Sequence, residues 1–116
     1  MMQQDISTLP LRHSQDAPAE INAILSLLET VIDPETGINI VDMGLIYAIH
    51  HEGDRLSLRM TMTSAACPMG DILIKDVEAR LHKAFSANTQ IDVDLTFNPP
   101  WDPAMMSDSA RAQFGW

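Results

Sequence analysis

The feature that most constrains this chain is a change of period around its single cysteine. Leu56, Leu58, Met60 and Met62 alternate with Ser57, Arg59, Thr61 and Thr63, the two-residue repeat of a half-buried strand. Beyond Cys67, Leu73, Val77, Leu81 and Ala84 recur at three- and four-residue spacing, which is one face of a helix. The stretch Thr61-Met62-Thr63-Ser64-Ala65-Ala66-Cys67-Pro68-Met69-Gly70-Asp71 is therefore where a strand stops and a helix starts. Pro68 suits a first helical turn, where its missing N–H costs nothing. Cys67 is expected at or near the N-cap.

That position has chemical consequences. The free N–H groups and positive dipole end of a helix start favour thiolate over thiol. A thiolate attacks electrophiles and binds soft metals. The competing reading is a buried cysteine packed as a small hydrophobe.

The rest of the chain fits one domain of 116 residues, long enough for one core. Residues 1–17 are polar with no sustained period and read as a mobile tail; residues 18–116 form the domain. Pro18-Ala19-Glu20 opens a helix with the stripe Ile21, Ile24, Leu25, Leu28 and Val31, and Asp33-Pro34 is expected to stop it. A turn follows at Asp33-Pro34-Glu35-Thr36-Gly37, then a bridge or brief strand at Ile38-Asn39-Ile40-Val41-Asp42 and a break at Met43-Gly44. Residues 45–51 alternate, with Leu45, Tyr47 and Ile49 on one side; Glu52-Gly53-Asp54 is a hairpin turn into the strand at 55–63. The second helix is expected over about residues 68–85. Ile91, Val93, Leu95 and Phe97 alternate with Asp92, Asp94, Thr96 and Asn98 as a third strand with one wet face, closed by Pro99-Pro100. An extended loop follows, and Ser107 caps a short helix over 108–114. The order α-β-β-α-β with a C-terminal segment predicts a compact α+β domain, helices packed on one face of a small sheet.

Several function classes fall away. A net charge of −9 opposes nucleic-acid binding, which neutralises phosphates with Lys and Arg. One cysteine excludes an intrachain disulfide and any self-contained multi-cysteine metal site. No apolar run spans a bilayer, residues 1–15 do not resemble a secretory signal, and a reducing cytoplasm is the expected location. There is no glycine-rich phosphate loop, so no nucleotide is expected. His50 and His51 fall at the far end of the hairpin from Cys67, which argues against a Cys–His dyad.

The acidic turns at Asp33-Pro34-Glu35 and Asp42-Met43-Gly44 could both reach the Cys67 end of the sheet, where carboxylates bind metal or raise a thiol's pKa. They are equally common turn chemistry. Thr61 and Thr63 could orient a ligand or support the cap, or serve as plain strand formers. Pro99-Pro100-Trp101 could be a rigid anchor for a partner, or a tryptophan folded over the core edge. Met105 and its neighbours could form an adaptable surface or fill gaps.

Taken together, three runs resemble one known family: Asp33-Pro34-Glu35-Thr36-Gly37-Ile38-Asn39-Ile40-Val41-Asp42-Met43-Gly44-Leu45-Ile46-Tyr47; Thr61-Met62-Thr63-Ser64 with Cys67-Pro68-Met69-Gly70-Asp71; and Asn98-Pro99-Pro100-Trp101 with Met105-Met106-Ser107. The family is the SufT/PaaD-like group of iron–sulfur assembly proteins, and the resemblance covers about residues 20–115. It implies a compact α/β domain used in iron–sulfur cluster assembly or delivery, with Cys67 as the functional cysteine. The functional pocket is then expected at Cys67, Asp33, Glu35, Asp42, Thr61 and Thr63, with Cys67 the metal ligand. The partner surface is expected at Pro99, Pro100, Trp101 and Met105.

The function this implies is a non-enzymatic maturation factor, handling a transient iron–sulfur cluster or iron and meeting scaffold or client apoproteins. A cluster usually needs four ligands, so one cysteine implies a cluster bridging two copies or borrowing ligands, and with it a homodimer. The alternative is an interaction adaptor, oxygenase-associated in some members, that binds no metal. A thiol enzyme ranks last. No nucleic-acid or membrane partner is expected.

Overall fold

The structure, a computed structural model, describes Leu11, His13, Gln15 and residues 18–63 and 70–115. Its elements are α1 (Ala19–Leu28), β1 (Ile46–Glu52), β2 (Arg55–Met60), α2 (Gly70–Ala84), β3 (Gln90–Leu95), a 3-10 turn (Pro103–Met105) and α3 (Asp108–Phe114). The expected α+β domain is the observed one.

The three strands pair in the order β1-β2-β3. The hairpin is antiparallel, and β3 lies parallel to β2. A parallel neighbour needs a crossover, and α2 is that crossover. Side-chain alternation then sorts the sheet into two faces. Leu56, Leu58 and Met60 are buried and pack with Leu25, Leu28, Leu73, Val77 and Leu81 from the helices. Ile91 and Val93 of β3 lie on that same face in register with Leu56 and Leu58. His50, Glu52, Arg55, Arg59, Gln90 and Asp94 are exposed on the other face.

Helix termini follow local chemistry. Pro18 precedes the first turn of α1, which carries Glu20, as the dipole favours. The helix ends at Leu28, earlier than the Asp33-Pro34 stop expected from sequence. Thr30 Oγ1 donates to the Leu27 carbonyl at 2.6 Å, and Arg80 of α2 donates to the same hydroxyl at 2.8 Å. The same Leu27 carbonyl accepts from the Thr30 amide at 3.1 Å, so a tightened last turn braced by the threonine side chain ends the helix without help from proline. Ser107 Oγ accepts from the Ala110 amide at 3.2 Å and caps α3, and Gly115 closes it at φ 73°, the left-handed geometry glycine supplies.

Of the bridge or brief strand expected at residues 38–42, the bridge is found: Asn39 makes one isolated antiparallel bridge with Ile32. One further expectation changes. The alternation read through Leu45, Tyr47 and Ile49 is broken, because Ile46 faces Met60 while Ala48 faces Arg59. One extra residue, Tyr47, is a β-bulge. The expected tail at residues 1–17 lies mostly outside the described residues; Leu11 donates its N–H to the Ile46 carbonyl at 2.6 Å and packs on the core.

Candidate functional site

The parallel pair β2-β3 has its carboxyl ends at the same rim, where Met60 stands beside Leu95. β1 starts at this rim, since Ile46 pairs with Met60 and the Thr61 amide donates to the Leu45 carbonyl at 2.8 Å. Residues 61–63 lie just beyond β2 at this rim, and α2 begins at Gly70. In open sheets the crevice beyond the carboxyl ends of parallel strands is where ligands are held. Cys67 and its predicted cap position lie outside the described residues.

The bulge gives the rim its centre. A bulge re-aims a side chain, and here Tyr47 is only 3% exposed. Its hydroxyl donates to the Pro99 carbonyl at 2.9 Å and meets Met105 Sδ at 3.4 Å. Burial pushes the phenol's pKa up, and hydrogen bonding with Thr61 pulls in the opposite direction. Thr61 itself is completely buried. Tyr47, Thr61, Pro99 and Met105 are therefore one linked group.

The segment at 98–107 is folded back across the rim as a strap. Trp101 Nε1 donates to the Met43 carbonyl at 2.7 Å, and the Ser107 amide donates to the Asp42 carbonyl at 2.8 Å. Asp102 Oδ1 accepts from the Ala104 amide at 2.8 Å and starts the 3-10 turn. Gly44 explains why the strap fits so closely: at φ 78°, a Cβ there would stand 2.3 Å from the Met105 carbonyl oxygen. Trp101, Pro99 and Met105 are half-buried, and Pro100 is exposed.

The acidic loop before β1 supplies the other candidates. Asp33 Oδ1 accepts from the Glu35 amide at 2.9 Å, the side-chain turn that Asp favours. The Asp33 carbonyl accepts from Gly37 at 2.8 Å, and its N–H donates to Ile38 at 2.9 Å. Asp33 is only 3% exposed. Burial raises its carboxyl pKa, the Glu35 amide lowers it, and the Glu35 charge raises it again. Asp42 is placed by Asn39, whose Nδ2 donates to Asp42 Oδ2 and whose Oδ1 accepts from the Asp42 amide, each at 2.9 Å.

Among the described residues, Asp33, Glu35 and Asp42 do not form a three-ligand metal cluster. Asp33 and Glu35 share one turn, while Asp42 faces Asn39 and the strap. Thr63 is half-buried just beyond β2. Sequence reasoning missed Tyr47, Gly44 and Asn39 as builders of the rim. The Met43-Gly44 break, with Gly44 three residues before Tyr47, was the available signal for the first two; Asn39 three residues before Asp42, the spacing of a local side-chain cap, was the signal for the third.

Comparison with known proteins shows which family this chain resembles. The sequence model of a family described as "Iron-sulfur cluster assembly protein" matches residues 21–93. A Porphyromonas gingivalis protein named "Fe-S protein maturation auxiliary factor" is 36% identical over 94 residues, 80% of this chain and 89% of that protein. The Staphylococcus aureus "Fe-S protein maturation auxiliary factor SufT" is 37% identical over 86 residues, 73% of this chain and 97% of that protein. A crystal structure of a domain of unknown function from Bacillus anthracis superimposes with a TM-score of 0.75 at 38% identity, covering 81% of this chain and 90% of that one.

Proposed function

This chain belongs to the iron–sulfur cluster assembly protein family, and from that premise we propose that it passes a cluster or iron to client apoproteins through Cys67. The relatives it matches are named maturation auxiliary factors, and the proposed role needs no catalytic step. The cluster is cargo rather than a resident cofactor.

The observation that best supports the reading is the rim itself. Polar side chains are normally kept in water, yet Tyr47 and Thr61 are nearly or wholly buried at the rim, and Asp33 is only 3% exposed in the loop that leads to β1. A helix start behind that segment would favour a thiolate on Cys67. A thiolate is the form that ligates iron. Because one cysteine supplies one of the usual four ligands, the proposed carrier holds its cargo between two copies, or between itself and a scaffold or client. The Pro99–Met105 strap is the proposed partner-facing wall of the rim. The proposed setting is the reducing cytoplasm, where a lone thiol stays free; no helix among the described residues is long and apolar enough to cross a membrane.

Anaerobic reconstitution with iron and sulfide, read by absorption spectroscopy, tests this against Cys67→Ser. The expected result is a cluster spectrum in the wild type that the folded variant loses, with a shift to dimer in light scattering. No spectrum in either folded protein would replace the carrier with an adaptor that recognises scaffold and client without holding cargo.

A further inference from the structure

We propose that the bare edge of β3 is a docking edge for an extended partner segment in which apolar side chains alternate with lysine or arginine.

The two edges of the sheet differ. At the β1 edge, the Tyr47 bulge interrupts the ladder and Leu11 covers the Ile46 carbonyl. Bulges and covering segments are how proteins blunt an edge. Among the described residues, β3 has neither device. Its register with β2 is unbroken from Arg55–Gln90 to Met60–Leu95. The Gln90 amide donates to Asp54 and the Thr96 amide to Met60, so the even-numbered residues bond to β2. The N–H and C=O groups of Ile91, Val93 and Leu95 therefore point outward, and among the described residues no fourth strand meets them.

Side chains along this edge say what fits it. On the helix face, Leu95 and Phe97 remain 38% and 39% exposed. An edge guarded only against aggregation would not leave an apolar row open. On the wet face stand Asp92 and Asp94. Asp92 pairs with Arg55 at 3.5 Å; Asp94 is exposed beside Arg59 with no ion pair among the described residues. A second copy is a poor occupant. Antiparallel self-pairing places residues of one face opposite each other, and in the register centred on Val93, which overlaps the strands best, Asp92 would face Asp94 of the second copy, which is destabilising. A strand with Lys or Arg on the wet face and apolar groups on the other satisfies both rows. Strand addition draws affinity from main-chain bonds and specificity from alternate side chains. The chain's net charge of −9 steers such a basic partner toward it.

This edge stands apart from the cargo reading, and its test contains no iron. The probe is an acetylated peptide of roughly seven residues, matching a typical strand length, alternating valine and lysine. It is titrated into the full chain by NMR with amide exchange. The Ile91, Val93 and Leu95 amides are expected to slow at least about tenfold, with a glutamate version at least about tenfold weaker. Asp94→Lys is expected to reverse that preference. N-methylation of the peptide amides facing β3 is expected to abolish binding without altering the protein. Shifts mapping elsewhere, equal binding of the glutamate peptide, or no shift at about 1 mM peptide would overturn the proposal. Protection of those amides rising with protein concentration alone would also overturn it, by assigning the edge to a second copy.

Discussion

The two ends of the sheet are built from the same kinds of residue and treat them oppositely. At the hairpin end, His50 meets Glu52 at 3.3 Å, Arg55 meets Asp92 at 3.5 Å, and His51 contacts Glu20. At least one partner of each pair is well exposed, and exposed pairs contribute little to stability. At the rim, Tyr47 and Thr61 are buried, Tyr47 bonding to the Pro99 carbonyl of the strap and Thr61 to the Met62 carbonyl, and in the loop before β1 buried Asp33 accepts from the Glu35 amide. Buried polar groups must be fully satisfied, so rim bonds matter where hairpin bonds do not. A molecule that needed only stability would fill the rim with apolar groups. That contrast is why the site is proposed at one end.

The largest expected effect attacks the strap. Gly44→Ala forces a non-glycine residue to φ 78° and sets its Cβ 2.3 Å from the Met105 oxygen, with backbone rather than a flexible side chain in the way. It should cost roughly 2–4 kcal/mol, read as a lower urea midpoint. Gly53→Ala at the hairpin end also carries a positive φ, but its Cβ meets nothing within 4 Å. It should cost less, and equal losses would erase the distinction between the two ends.

Asp33→Asn carries the opposite sign. Asparagine keeps an acceptor for the Glu35 amide and removes a charge that burial disfavours. Asp33's pKa is raised above its ordinary 3.8, so its stabilising contribution is full below that pH and is lost as pH rises through the folded-state value. The variant should be more stable at neutral pH by about 1 kcal/mol and should lack that fall with pH. Client maturation should weaken if the carboxylate serves the site. A variant less stable than wild type at pH 7 would show that the ionised group is satisfied by its turn.

Tyr47→Phe removes the bond to the Pro99 carbonyl and should cost about 1 kcal/mol. The phenol's pKa is raised above 10.0, so its contribution is complete below that pH and declines as pH climbs through the folded value. The wild type should lose stability in alkali more steeply than the variant. Parallel pH curves would remove Tyr47 as the centre of the rim.

Most of the fold was legible because it rests on local periods. Leu56, Leu58 and Met60 showed β2, Ile91 and Val93 showed β3, and Leu73, Val77 and Leu81 showed α2, with Ser107 marking the start of α3. The rim was legible only in part. Asp33 and Asp42 could be named as candidates, but a bulge at Tyr47 depends on how many residues the partner strand spends opposite it. One strand's sequence holds no such count. Trp101 left two readings open because folding back onto the Met43 carbonyl joins positions 58 residues apart, a contact no local pattern encodes.

The smallest expected effect is the most useful control on the contrast between the ends. Glu20→Gln weakens the contact with His51 while keeping a side chain of the same size. Glu20 is 57% exposed, so solvent screens the pair and the loss should stay below about 0.5 kcal/mol. Glu20 is also an acid in the first turn of α1, where its charge favours the helix by a few tenths of a kcal/mol (roughly 0.3 or more). Raising the salt concentration should shrink both contributions together. Urea curves of this variant at low and high salt give the measure. A salt-independent loss as large as that of Tyr47→Phe would mean that the His51 contact is buried in effect, and that the hairpin end holds its polar groups as tightly as the rim does.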